Sequence, residues 1–185
     1  MTCSVCGNNS FLDYLRKEGY SFLQCGRCQF IFVNLSSFNA AEYYNNPVYL
    51  HDTEGRGYVN YEQDKAAMTP VYAKLFRKIQ SYNSGRSLWD LGTANGHFLE
   101  VASQNGYLAE GNDLNPLAVE EGRRRGRKIK QGDLLTVDYP LESFDVTTAF
   151  DFFEHLPSDK LKDYLTAIQK VLAKNGVLAI ITVNT

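Results

Sequence analysis

The chain has 185 residues, of which 13% are aromatic, a length that buries one substantial core plus a small appendage. Its formal net charge of −2 and pI of about 5.9 lack the electrostatic footprint of a nucleic-acid-binding protein. No apolar run reaches the roughly 18 residues of a membrane span, and Met1 leads to Cys3 without a basic-then-apolar signal region, so a cytoplasmic protein without membrane contact is the expectation.

All four cysteines lie at the start, as Cys3-x-x-Cys6 and Cys25-x-x-Cys28 with 18 residues between the pairs. Each pair can present two sulfurs to one tetrahedral ion, so the spacing predicts a Zn²⁺ site built from Cys3, Cys6, Cys25 and Cys28. Four sulfur ligands leave no open coordination position, which makes the metal structural rather than catalytic. Two disulfides and unligated thiols are the competing readings, the first disfavoured by the lack of a secretion signal. Gly7, after Cys6, and Gly26, inside the second pair, are expected to supply the tight turns that aim N–H groups at sulfur. Phe11–Leu15 and Tyr20–Gln24 read as a hairpin around Lys17-Glu18-Gly19, and Phe30–Asn34 follows. A module over residues 1–35 has so small a core that the metal supplies much of its folding energy.

Residues 36–84 read as a Tyr-rich linker and helical lid. Tyr43, Tyr44, Tyr49, Tyr58 and Tyr61 crowd its first part, where a helix fits Asn39–Asn45 and Pro47, Gly55 and Gly57 interrupt longer elements. These tyrosines either pack between the two parts or line a substrate entrance, packing being the simpler reading. Thr69-Pro70 reads as an N-cap with proline at N1. The helix it opens carries the apolar stripe Val71, Leu75, Phe76 and Ile79 and ends near Tyr82.

From Arg86 strand and helix patterns alternate. Strands are expected at Ser87–Leu91, Leu108–Asn112, Lys128–Gln131, Phe144–Phe150 and Val177–Val183, and helices near 95–105, 115–125 and 158–173, with a turn-like stretch at 133–142. Ser158 is expected to cap the last helix and Gly176 to follow its end. Such alternation predicts an α/β fold: a doubly wound, Rossmann-like, mainly parallel sheet with helices on both faces, over residues 85–185.

The first strand ends in Asp90 and enters a Gly-rich turn, Gly92-Thr93-Ala94-Asn95-Gly96, before a helix, an arrangement whose strand-end and helix-start groups converge on a ligand. A dinucleotide fingerprint fails here, because its three glycine positions hold Gly92, Ala94 and His97, and no Walker A ending is present. Asp90, Gly92 and Gly96 form D-x-G-x-x-x-G, which resembles the first motif of class I S-adenosylmethionine-dependent methyltransferases, with Ala94 at its middle glycine. Three further stations resemble that family. Asp113-Leu114-Asn115-Pro116 begins 23 residues after Asp90, where an acid can accept both ribose hydroxyls of an adenosine or cap the next helix. Gly132-Asp133-Leu134 resembles the adenine contact. Phe150-Asp151-Phe152-Phe153-Glu154-His155-Leu156-Pro157 resembles the D-x-x-E-H-L segment of one methyltransferase branch.

The resemblance implies S-adenosylmethionine as cofactor, held by Asp90, Gly92, Thr93, Ala94, Gly96, Asp113, Leu114, Asp133, Leu134, Phe150 and Asp151. It implies methyl transfer to a small molecule, a nucleotide-linked sugar or related metabolite. His155 is the candidate base with Glu154 orienting it, or both shape the cofactor wall. An rRNA methyltransferase is the alternative, drawing on the basic run Arg123-Arg124-Arg125-Gly126-Arg127-Lys128-x-Lys130, which reads more simply as a solvated face at a helix end, and a non-catalytic cofactor-binding or interaction module is another. Class I members generally add two strands after the fifth, so the chain is expected to be a fragment, or to have that strand covered by a partner or a second copy.

Overall fold

A computed structural model describes residues 1–17, 19–34, 61–157 and 159–182. The chain divides into two compact units, Met1–Asn39 and Ala40–Thr185.

In the first unit, β1 (Phe11–Lys17), β2 (Tyr20–Cys25) and β3 (Ile31–Val33) form an antiparallel sheet in that order. The expected hairpin is present, with Lys17 opposite Tyr20 and Phe11 opposite Cys25. An irregularity between Asp13 and Leu15 shifts its register. Phe11 meets Phe32 edge-on at 5.4 Å, and Phe30 stacks on Phe32 at 5.9 Å.

The second unit opens with α1 (Tyr61–Ala66) and α2 (Thr69–Tyr82). There follow β4 (Ser87–Leu91), α3 (His97–Gln104), β5 (Leu108–Asp113), α4 (Pro116–Arg124), β6 (Ile129–Gln131) and β7 (Phe144–Phe150). The unit continues through α5 (Leu161–Val171) into β8 (Leu172–Ile181). The sheet order is β6-β5-β4-β7-β8 and every pairing is parallel. Strand order reverses direction at β4, so the carboxyl ends of β4 and β7 flank the crevice where open α/β sheets take ligands.

Alternation along β4 divides the core. Leu88 joins Tyr72, Phe76, Ile79, Phe98 and Val119 under α2, α3 and α4, while Trp89 and Leu91 join Tyr139, Phe144, Tyr164 and Ile168 under α5. The 133–142 stretch, expected to be turn-like, covers the second face with Leu134 and Tyr139.

Several boundaries differ from the sequence reading. Met68, not Thr69, is the N-cap of α2, because its carbonyl accepts from Val71 and Tyr72, and Thr69 is already helical. The buried stripe of α2 is Tyr72, Phe76 and Ile79, while Val71 is exposed. Ser158 lies outside the described residues, and α5 begins at Leu161 with Lys160 at its N-cap. Gly176 is not a helix cap: α5 runs directly into β8, and Gly176 lies within that strand. The register jumps there from Phe144–Leu172 to Val146–Val177, and Asn175 turns left-handed at φ 66°. Val183 and the Asn39–Asn45 helix also lie outside the described residues.

Candidate functional site

The site grows from the end of β4. Asp90 is buried and pairs in register with Thr148 of β7, whose Oγ1 donates to Asp90 Oδ1 at 2.6 Å. Burial pushes the Asp90 carboxyl up to about 7, opposed by the hydrogen bond from Thr148. The loop that follows uses three left-handed residues: Gly92 at φ 66°, Ala94 at 50° and Gly96 at 77°. A Cβ at Gly92 would come within 2.9 Å of the Phe152 ring, and one at Gly96 within 2.8 Å of Ile129 Cδ1, so both glycines are required by space as well as by φ. Ala94 takes the left-handed conformation of the glycine it replaces, at a cost of about 1 kcal/mol, offset by its N–H donating to Asp113 Oδ2 at 2.8 Å.

Asp113, at the end of β5, also accepts from Asn115 N at 2.8 Å through Oδ1. Burial pushes its pKa up while the Asn115, Ala94 and Leu114 backbone groups hold it down. The helix-capping role belongs to Asn115, whose Oδ1 accepts from Leu117 and Ala118, so Asp113 spans two loops rather than capping α4. At the exit of β6, Asp133 accepts from Leu135 N at 2.7 Å and from Tyr164 OH at 2.5 Å. The Leu134 side chain lies in the core beside Trp89.

At the exit of β7, Phe150 packs on Tyr72 and Phe98, and Asp151 adopts φ 49° with its side chain 52% exposed. Glu154 and His155 lie on a 3₁₀ turn, Phe153–His155. Glu154 Oε2 accepts from Thr182 Oγ1 at 3.0 Å, and His155 is exposed. The structure thus joins the Gly-rich loop to Asp113 by a direct bond, ties Asp90 to Thr148 of β7, and hangs Asp151, Glu154 and His155 on the end of β7.

Sequence reasoning missed Glu62. Its Oε1 meets His97 Nδ1 at 2.9 Å and Arg127 at 2.7 Å, and its Oε2 accepts from Asn95 Nδ2 at 3.0 Å and Arg127 at 3.1 Å. Against the cost of desolvation, the Arg127 and His97 bonds hold Glu62 down to about 2. Arg127 is buried, donates to the Asn95 carbonyl at 2.9 Å and also pairs with Glu100. Within the basic run Arg127 alone is buried, while Arg123, Arg124, Arg125 and Lys128 are exposed. Arg123 donates to Ile129 O, Arg125 pairs with Glu121, and Lys130 stands 4.1 Å over the Tyr139 ring. A basic residue in a buried β6 approach was the available signal, visible only once strand alternation is applied to Arg127 and Ile129.

The profile of the methyltransferase-domain family matches residues 61–185, more than half of the chain. The chain belongs to that family. No curated protein sequence matches it. Its methyltransferase domain is similar in structure to a protein of Pyrococcus horikoshii, with TM-score 0.55, 19% identity and coverage of 75% of this chain and 64% of that one. It is also similar to an amino pentose methyltransferase of Micromonospora echinaspora involved in calicheamicin biosynthesis, solved with S-adenosylmethionine bound, with TM-score 0.56, 24% identity and coverage of 64% and 54%. A third is the magnesium protoporphyrin IX methyltransferase of Synechocystis, also with S-adenosylmethionine bound, at TM-score 0.53, 16% identity and coverage of 71% and 69%. The chain thus spans less than two-thirds of the first two proteins. These likenesses confirm the Rossmann-like methyltransferase fold expected from sequence. Among the described residues no helix is long and apolar enough to cross a membrane.

Separately from the methyltransferase domain, the four cysteine sulfurs lie within 4.8 Å of one another, Cys3 to Cys28 and Cys6 to Cys25 both at 3.6 Å. None is in a disulfide. A tetrahedral zinc–thiolate site has sulfur–sulfur edges of about 3.8 Å. Two matching knuckles set this up. Cys3 N donates to Asn8 O and Gly7 N to Cys3 O, while Cys25 N donates to Phe30 O and Gln29 N to Cys25 O. Gly7 and Gln29 are the left-handed residues, so Gln29, not Gly26, makes the second turn. Backbone N–H groups of Cys28 and Arg27 hold Cys25 down to about 6. Although the Phe30 N–H favours its thiolate, Cys28 is pushed up to about 12 by desolvation and the three neighbouring sulfurs. Four sulfurs this close, with none in a disulfide, fit a possible zinc module.

Proposed function

We propose that the chain is an S-adenosylmethionine-dependent methyltransferase acting on a small molecule, such as a nucleotide-linked sugar or related metabolite, with a structural Zn²⁺ held by Cys3, Cys6, Cys25 and Cys28. The observation that carries the reading is the bond between Ala94 N and Asp113 Oδ2. It locks the left-handed loop to a half-buried carboxylate at the end of β5, placed to accept from a pair of ribose hydroxyls. Gly92, Thr93, Ala94 and Gly96 bring backbone close to the ligand, Leu114 and Phe150 supply apolar walls, and Asp133 retains lone pairs for the adenine amino group. S-Adenosylmethionine, when bound, supplies an electrophilic methyl on a sulfonium for in-line displacement. The chain's own work is to align the acceptor, exclude water and balance positive charge with Asp90 and Asp151. His155, exposed at the crevice side of β7, takes the acceptor's proton, with Glu154 in its turn.

Against the rRNA reading, Arg127 is buried in ion pairs with Glu62 and Glu100 rather than offered to phosphate, and Arg125 is paired with Glu121, whereas Arg123, Arg124 and Lys128 stay exposed. Among the described residues β8 is the outer strand of the sheet, and coverage of its open edge by a further strand or a second copy is part of this reading. Calorimetric titration with S-adenosylhomocysteine tests the proposal. One-to-one binding is expected, weakened about tenfold or more in both Asp113→Asn and Asp113→Ala. A folded chain that binds none overturns it.

A further inference from the structure

The four sulfurs of the first unit differ in how far solvent reaches them. Cys3 and Cys25 are buried, Cys6 is half-buried and Cys28 is exposed. Each sulfur that solvent reaches lies against one that it does not. Cys28 is 3.6 Å from Cys3, and Cys6 is 3.6 Å from Cys25. Asn8 also holds the buried Cys25, its Nδ2 donating to Cys25 Sγ at 3.5 Å and to the Ser10 carbonyl at 2.8 Å. Both close pairs run between the two knuckles, across 25 and 19 positions of sequence, and one is nested inside the other. A disulfide brings its sulfurs to about 2.05 Å, so each pair closes by a movement of roughly 1.5 Å.

An accessible thiolate beside a buried one suits oxidation by a small peroxide: the outer sulfur meets the oxidant and the inner one resolves the product. We propose that the cysteine cluster is a peroxide-reactive site that exchanges its metal for two nested disulfides, joining Cys3 to Cys28 and Cys6 to Cys25. The proposal rests on the reading of the cluster as a zinc site. Cys28 sulfur attacks hydrogen peroxide, the O–O bond breaks, and the sulfur is oxidised by two electrons to a sulfenic acid as hydroxide leaves. The Cys3 thiolate then attacks the Cys28 sulfur; the S–S bond forms, the S–O bond breaks, and a second hydroxide leaves. Cys6 and Cys25 repeat the two steps with a second peroxide. Four thiolates and two peroxides thus give two disulfides and four hydroxides, which buffer protons convert to water. No thiolate then remains to hold the cation, and Zn²⁺ departs. Both crosslinks join the first knuckle to the second, as the metal does, so they keep the base of the β1–β3 sheet together where a chelator releases it.

The test uses the full zinc-loaded chain, hydrogen peroxide and a chromogenic metal indicator. About one Zn²⁺ is expected to be released for every two peroxides consumed. Early in the reaction a sulfenic-acid trap such as dimedone is expected to label Cys28 at least about tenfold more than Cys3 or Cys25. Non-reducing peptide mapping by tandem mass spectrometry is expected to find Cys3 joined to Cys28 and Cys6 to Cys25, and a dithiol with added Zn²⁺ to restore the starting state. Amide protection of the β1–β3 sheet is expected to survive the exchange, in contrast to its loss on chelation. Any other pairing, oxidation to sulfinic or sulfonic acid without disulfides, or zinc retained in about a tenfold excess of peroxide would overturn the proposal. A chain purified without zinc is a different result, seen by elemental analysis before any peroxide is added, which overturns the metal reading and the exchange with it.

Discussion

Replacing Glu62 by glutamine removes the charge at the centre of a network whose other half is a buried guanidinium. Glu62 is held down to about 2, against about 4.3 for an exposed glutamate. Fully shielded, that difference is worth about 3 kcal/mol. The Glu62 side chain keeps 26% of its surface exposed, so screening lowers the contribution to about 2 kcal/mol. Because the folded pKa is depressed, this stability is fully present above about pH 4.3 and is lost as pH falls toward about 2. At pH 7, Glu62→Gln is expected to melt about 4–8 °C below the wild type. In a series from pH 7 to pH 3 the gap narrows, because Glu62 takes up a proton in the unfolded wild type while it stays ionised in the folded one. Comparing two proteins at each pH cancels the acid sensitivity of the cysteine site, which both share. A gap that stays constant with pH, or no gap at pH 7, would refute the electrostatic account of how α1 is held.

Three other outcomes are expected. Gly92→Ala meets both a left-handed φ and the Phe152 ring at 2.9 Å; it is expected to cost about 1–3 kcal/mol by denaturant titration and to lower S-adenosylhomocysteine affinity. His155→Ala is expected to lower turnover at least about a hundredfold while leaving cofactor affinity nearly unchanged, and equal losses in both would reassign it to the cofactor wall. Elemental analysis is expected to find about one Zn²⁺ per chain. Chelation should unfold the β1–β3 sheet, read as lost amide protection over residues 11–33, and a metal-free sample with that sheet intact would refute the zinc assignment.

Much of this was legible in the chain because it depends on local chemistry. Period-two apolar runs and Gly-rich punctuation located the five parallel strands, since each strand's residues meet the same two faces wherever the sheet lies. The C-x-x-C pairs announced a sulfur cluster because four residues of one kind at that spacing have few other uses. Asp90, Gly92, Gly96 and Asp113 were readable because each sits at a strand end whose backbone conformation constrains the residue type. Helix limits were less legible where tertiary contacts outweighed local capping signals. Thr69 lost the N-cap position to Met68, and the turn around Asn175 and Gly176 fell inside a strand because β7 pairs on both sides of it. The partners of Glu62 were invisible altogether. Nothing in Tyr61-Glu62-Gln63 announces a contact with residues 33 to 65 positions away, and Arg127 reads as one more charge in an exposed run until the sheet buries it. Sequence by itself determined the strand pattern, the loop and the cysteine site, because covalent neighbours dictate backbone conformation. Only the tertiary structure decided which charges meet, because that depends on distances between segments far apart in the chain.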